Sequence, residues 1–275
     1  MNLDNLENFE IYAHRGAPTD HPENSLQSIK QAIAEGAGGF ECDVMLTSDN
    51  QPVIVHPLYY NPRKPRLVDT KEKLSRLSWQ ELKELPFKPR HFRPGENYRI
   101  HHLDEILEFV AQYNRSAPKK IRCFIEPKTA DQRLVKEIVS RVSQDTGLAA
   151  DCSIITFAFR ADSLRWTKQL DPRINTTVIV LNPLRDWINE ARKAQADTVA
   201  LGWALLNHFR FLNSSKHGRG AMARIQKKVA RTAERLELMG GLANSKANAR
   251  WLVDIGIKKI WTDNVGMVKS ILENR

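Results

Sequence analysis

The sequence predicts a (β/α)8 TIM barrel, and three observations carry that prediction. Short apolar runs alternate with longer amphipathic segments along the chain, the mark of repeated βα units. The count comes to eight strand–helix pairs, the number a closed parallel barrel requires. The chain has 275 residues, the size of one such domain. We therefore expect a single domain over residues 1–275.

The elements follow in order. Apolar runs place strands near 10–14, 38–44, 121–126, 152–157, 174–181, 197–201, 236–242 and 257–262. Helical periodicity places helices near 25–35, 102–114, 131–146, 160–170, 183–194, 221–235, 245–254 and 264–273. One interval breaks the alternation. Residues 57–101 are rich in Pro, Lys and Arg, as in Pro62-Arg63-Lys64-Pro65-Arg66 and Lys88-Pro89-Arg90. A connection that long inside a compact domain is functional or has structure of its own. Ser78 to Leu85 reads as a short Ser-capped helix within it. The interval is an insertion after the second strand, expected to lie over the barrel mouth.

Composition is that of an ordinary globular chain, 41% hydrophobic and 27% charged. No apolar run reaches membrane-spanning length. The opening Met1-Asn2-Leu3-Asp4-Asn5-Leu6-Glu7 is acidic and unlike a signal peptide. Cys42, Cys123 and Cys152 are widely spaced within strand-like runs and read as buried thiols. Together these point to a reduced, cytoplasmic compartment.

The net charge of +10 suits a phosphorylated substrate, an anionic membrane surface or nucleic acid. No basic block is interleaved with aromatics as in a nucleic-acid groove, so nucleic acid is not expected. Peripheral contact with an anionic membrane stays open, as does the oligomeric state. Arg224, Lys227, Lys228, Arg231 and Arg235 form a cationic stripe opposite Ile225, Val229 and Leu236. It reads as the solvated outer face of a barrel helix rather than a binding surface.

The residues with chemistry cluster early: Ala13-His14-Arg15-Gly16, Pro22-Glu23-Asn24-Ser25, Glu41-Cys42-Asp43-Val44, Thr47-Ser48-Asp49 and Val53-Ile54-Val55-His56. Barrel enzymes draw catalytic groups from the carboxyl ends of several strands, and His14, Glu41, Asp43 and Glu126 fall at such ends. Strand alternation puts Glu41 and Asp43 on one face and Cys42 on the other. Acids facing a barrel interior are costly unless a cation compensates them. Three carboxylates offering only oxygen favour one hard divalent ion, Mg²⁺ or Ca²⁺. Asn24 or Ser25 suits the cap of the following helix. His21, His91, His101, His102, His208 and His217 read as surface or internally satisfied residues.

These motifs resemble those of the glycerophosphodiester phosphodiesterase family, with Glu126-x-Lys128, Ile155-Thr156-Phe157 and the closing run Asn244 to Asp263 continuing the likeness. The resemblance implies hydrolysis of a small phosphodiester to an alcohol and sn-glycerol 3-phosphate. Glu41, Asp43 and Glu126 would hold the ion, His14 and His56 would be general acid and base, and Arg15 and Lys128 would hold the phosphate. The glycerol hydroxyl would attack first to give a cyclic phosphate that water opens, with direct attack by water as the other route.

The sequence departs from the family pattern twice. Pro57 follows His56 where the family has Asp, and Gly241 stands where the family has a Trp. A missing ring would leave a gap, and Tyr59, Tyr60, Arg63, Lys64 and Arg66 would add charge. This predicts a wide, cationic mouth preferring bulky or anionic alcohols to glycerophosphocholine. Two other functions compete: a phosphodiesterase acting on lysophospholipids or other bulkier diesters at a membrane, and a non-catalytic barrel binding anions or nucleic acid. Two proton-transfer groups beside three acids argue against the last.

Overall fold

The computed structural model describes residues 9–56, 72–73, 76–85, 98–181, 185–202 and 216–274. Strands β1 (Glu10–His14), β2 (Gly39–Leu46), β5 (Arg122–Pro127), β6 (Cys152–Phe157), β7 (Asn175–Val180), β8 (Thr198–Leu201), β9 (Glu237–Gly240) and β10 (Lys259–Thr262) pair in parallel. β1 bonds both β10 and β2, which closes the barrel. Helices α1 (Leu26–Ala34), α3 (Leu103–Ser116), α4 (Gln132–Val142), α5 (Thr146–Asp151), α6 (Asp162–Leu170), α7 (Trp187–Ala194), α8 (Lys216–Ala233), α9 (Lys246–Asp254) and α10 (Val265–Glu273) complete the βα units.

The expected strands all form, with ends shifted by a few residues. The helix expected over 131–146 is instead two, α4 and α5, because Asp145 caps a fresh helix by accepting from Gly147 and Leu148 N–H. Two short strands escape the sequence pattern. β2 runs past the barrel wall and pairs antiparallel with β3 (Pro52–Ile54), which pairs with β4 (His101–His102). Runs of two or three residues are too short to show a period of two.

Within the insertion, the short helix α2 (Trp79–Lys83) carries the expected Ser78 cap, closed by Glu81 as a capping box. Leu82 packs with Val53, Val55 and Ile100, and Trp79 N–H donates to Asp49 Oδ1 at 3.0 Å. The described part of the insertion is thus fastened to the β2–β3–β4 extension. Residues 57–71 and 86–97, with the cationic cluster at 63–66, lie outside the described residues.

Alternation along each strand builds two cores. Outward-facing Ile11, Phe40, Cys42, Val44, Cys123 and Ile125 pack under the helices. The three cysteines are free and buried, as expected. Inward-facing Tyr12, Phe124, Ile155, Ala200, Met239 and Trp261 fill the barrel. Burying one such large side chain stabilises the fold by about 1.5–3 kcal/mol. Tyr12, Phe124 and Trp261 meet with ring centroids 4.7–5.2 Å apart and form an aromatic floor. At the amino end, Glu237 bonds Arg122 Nη1 and Lys259 Nζ, each at 2.5 Å.

The stripe on α8 behaves as expected on its apolar side, where Val229 is buried and Ile225 is partly buried against the core. Lys228 departs from it by lying over the Trp187 ring, 4.1 Å from its centroid. No described helix is long and apolar enough to cross a membrane.

Candidate active site

The parity that buries the aromatic floor also aims the chemistry. Two residues after Tyr12 comes His14, and two and four after Phe124 come Glu126 and Lys128. On β2, Glu41 and Asp43 share the inward face. The sheet register sets His14 beside Glu41 and Asp43 beside Glu126. Glu41, Asp43 and Glu126 converge with candidate ligand oxygens within 4.8 Å of one another, at 3%, 0% and 5% exposure.

A tight turn after β1 brings Arg15 back over the mouth. Arg15 (φ 61°) and Gly16 (φ 87°) are left-handed. A Cβ on Gly16 would lie 2.5 Å from the Ser28 backbone carbon, so only glycine fits. Arg15 Nε then pairs with Asp43 Oδ2 at 2.8 Å and its Nη1 with Glu23 at 3.3 Å. Lys128 Nζ lies 2.5 Å from Asp43 Oδ1 and 2.9 Å from Glu126 Oε2. Asn24 (φ 63°) donates Nδ2–H to Asp43 Oδ2 at 2.8 Å and accepts from Asp43 N–H at 3.0 Å. Ser25, not Asn24, caps α1.

His56 arrives by the β3 extension, anchored by Val55 N–H donating to Asp43 O. Its Nδ1 lies 3.9 Å from Glu23 Oε1, outside hydrogen-bond reach, and has no hydrogen-bond partner. His14 Nδ1 lies 2.6 Å from Asp263 Oδ1, while its Nε2 is 3.9 Å from Glu41 Oε2. Asn244 Nδ2–H donates to Asp263 Oδ2. All seven residues singled out in the sequence thus meet at the barrel mouth. The roles of Asn24, Glu23 and Asp263 as supports were missed, although each lies in a run already noted.

Electrostatics separate these groups. Burial and the neighbouring Asp43 charge push Glu41 well above the usual carboxylate range, with Lys128 and Arg15 opposing. Burial acts on Asp43 in the same direction, but Arg15 and Lys128 outweigh it and hold Asp43 ionised. Glu126 is raised, chiefly by burial. His56 is lowered to about 3, burial being the largest cause, so it is neutral near pH 7. With all three ionised, as a bound ion would hold them, the acids outnumber Arg15 and Lys128 by one negative charge. Both oxygens of Glu41 and Oε1 of Glu126 are buried without a hydrogen-bond partner. Unpartnered buried carboxylate oxygens are costly, and one divalent ion satisfies them while reversing the surplus. The donor set therefore fits a hard divalent cation.

The other histidines divide as expected where they are described. His21 bonds Tyr98, and His101 and His102 bond around Glu105, all three being buried. His91, His208 and the side chain of His217 lie outside the described residues.

The mouth opens into a cavity of about 320 Å³. Gly241 lines it, and a Cβ there would lie 2.4 Å from Trp261 Cβ and 2.9 Å from Trp261 O, so the close approach of the neighbouring strand demands glycine at that position.

Barrel and site together define a phosphodiesterase of the (β/α)8 class, and comparison with known proteins agrees. The model of the glycerophosphoryl diester phosphodiesterase family matches residues 14–267, and the chain belongs to that family. It is 25% identical over 175 residues to the uncharacterized protein YqiK of Bacillus subtilis, covering 64% of this chain and 68% of that one. It is 29% identical to the "Probable glycerophosphodiester phosphodiesterase 1" of Mycobacterium tuberculosis, covering 63% of this chain and 65% of that one. This chain therefore spans about two thirds of the length of these relatives. Among solved structures, an Oleispira antarctica phosphodiesterase in complex with its product sn-glycerol-3-phosphate superposes with a TM-score of 0.74 at 20% identity, covering 96% of each chain. A glycerophosphodiester phosphodiesterase of Thermotoga maritima gives 0.65 at 17%, covering 96% of this chain and 98% of the other. At these identities the structural likeness speaks for the fold.

Proposed function

We propose that the protein hydrolyses glycerophosphodiesters to an alcohol and sn-glycerol 3-phosphate, with one divalent ion, Mg²⁺ or Ca²⁺, held by Glu41, Asp43 and Glu126. The observation that carries this reading is the set of unpartnered, buried carboxylate oxygens between two cations and two histidines. When bound, the ion supplies positive charge where the phosphoryl oxygens develop negative charge. Arg15 and Lys128 orient the phosphate from the same side. The charges then balance: the ion turns the surplus to one positive, which a monoanionic diester neutralises.

The histidines suit different tasks. Neutral His56 is the group fitted to accept the proton of the attacking hydroxyl. His14, with Asp263 taking its Nδ1–H, keeps Nε2 toward the cavity and is fitted to give a proton to the leaving oxygen. The attacking hydroxyl is either that of the glycerol, giving a cyclic phosphate, or that of water. Buried free thiols support a reduced, cytoplasmic setting. The test is turnover of a glycerophosphodiester panel with added Mg²⁺ or Ca²⁺ and after exhaustive chelation. Release of sn-glycerol 3-phosphate that stops on chelation is expected; full activity without any divalent ion would overturn the metal assignment.

A further inference from the structure

The cavity has two unlike halves. Among the described residues, every charged group lining it comes from the β1, β2, β3 and β5 side. The opposite side, from β6 to β10, is lined among the described residues by Ile155, Phe157, Ile179, Leu181, Leu242 and Trp261 and the small residues between them. Its one side-chain polar hydrogen is Trp261 Nε1–H, which has no hydrogen-bond partner.

This wall is built by complementary sizes. Gly202 makes room for Leu181, whose Cδ2 lies 2.5 Å from where a Cβ would stand, and Gly241 lets the Cβ and backbone of Trp261 approach closely. The apolar surface continues out of the cavity. Phe157 stacks on Phe159 with centroids 5.2 Å apart and planes 10° from parallel. Phe159 is 70% exposed, on the turn that ends β6 at the mouth. Phe157 lines the cavity and Phe159 stacks on it, so the two rings carry the apolar wall out to the surface.

Resting on the functional reading above, we infer that the preferred substrate is an amphiphilic glycerophosphodiester bearing one acyl or alkyl chain. The phosphodiester sits on the charged half, and the chain lies along the β6–β10 wall and leaves over Phe157 and Phe159. Hydroxyls of an inositol or sugar head would meet no partner on that wall among the described residues, and buried polar groups without partners weaken binding. The same bond breaks, and the phosphate product then keeps the acyl or alkyl chain on its glycerol. Water's oxygen bonds to phosphorus, directly or by opening a cyclic phosphate, the bond to the leaving alcohol breaks, and the proton ends on that alcohol.

The experiment compares kcat/KM for sn-glycero-3-phosphocholine with its 1-acyl derivatives, from butanoyl to dodecanoyl, as monomers with saturating Mg²⁺ or Ca²⁺. A chain lying on the wall should raise kcat/KM by about three- to fourfold per methylene until the wall is covered. Phe159→Ser, a change at an exposed position, should flatten that dependence for the longer chains. Turnover of the unacylated diester with no gain from acylation would overturn this inference and leave the proposed function standing. An unaltered chain dependence in Phe159→Ser would remove the exit path. Failure to hydrolyse any diester with either ion would remove the functional reading and this inference with it.

Discussion

Asp263 Oδ1 lies 2.6 Å from His14 Nδ1, and its other oxygen accepts from Asn244. The two residues are 249 positions apart in the chain, yet β1 and β10 are neighbours because the barrel closes there. The contact fixes the imidazole's tautomer: an anionic partner on Nδ1 favours the proton on that nitrogen and leaves Nε2 for the substrate side. Burial raises the pKa of Asp263, but the hydrogen bond from His14, helped by Arg15 and by the bond from Asn244, outweighs it and keeps the acid ionised.

Asp263→Asn should therefore lower kcat while leaving KM and ion affinity nearly unchanged. The loss should be smaller than for His14→Ala, because the ring is still present but is no longer held in one tautomer. The measurement is kcat against pH for both variants. A wild-type profile in Asp263→Asn would show that the contact is only structural.

His14→Ala and His56→Ala should each reduce turnover by about 10²–10⁴-fold, the usual worth of one proton-transfer group. Divalent-ion affinity, read by calorimetry, should stay within a few fold in both, since neither ring belongs to the acid cluster. Normal turnover by His56→Ala would end the two-histidine mechanism.

Glu41, Asp43 and Glu126 answer to a different assay. Glu41→Gln, Asp43→Asn and Glu126→Gln should each lose ion binding with the fold retained. Glu41 adds a pH dependence whose sign is fixed. Its folded pKa is raised well above normal by burial and by Asp43, so the folded protein binds a proton that the unfolded chain has released. Stability of the chelated protein attributable to Glu41 is therefore full below about pH 4.3 and falls as pH rises through the folded pKa. The depressed His56 acts in the opposite sense and cancels between wild type and variant. Chelated Glu41→Gln should melt above chelated wild type near pH 7, with the gap closing as pH falls toward 4. Saturating Mg²⁺ or Ca²⁺ should reverse the order near pH 7.

Most of this architecture was legible in the sequence for physical reasons. Buried parallel strands are long enough to show as apolar runs, and the Glu41-x-Asp43 spacing states its own orientation through the period of two. What escaped was short or tertiary. β3 and β4 have too few residues to show a period, yet they deliver His56. Asn24 and Ser25 both suit a helix cap by residue type; Ser25 takes that place, and only the left-handed backbone of Asn24, which turns its amide onto Asp43, separates the two. The support of His14 by Asp263 needs barrel closure, which no local pattern contains.

Gly241 shows the same limit in the other direction. Read along the chain, a small residue in place of a ring predicts a gap; in the folded barrel Gly241 does line the cavity, but the Cβ and backbone of Trp261 on the neighbouring strand exclude a side chain there. Gly241→Ala should destabilise the protein, by about 1–3 kcal/mol if the neighbouring strand shifts to accept the methyl, because overpacking a filled site forces side chains and backbone to move. The added carbon would meet Trp261 Cβ at 2.4 Å and backbone O at 2.9 Å, and neither is the far end of a flexible side chain. Gly241→Trp should not yield folded protein at all. Trp261→Ala should not rescue Gly241→Ala, since alanine keeps the Cβ and the backbone atoms that the added methyl meets. The check is the melting temperature of the two single variants and the double variant with the ion bound. A double variant clearly more stable than the sum of the single losses allows would show that the indole, and not the Cβ and backbone of Trp261, crowds Gly241.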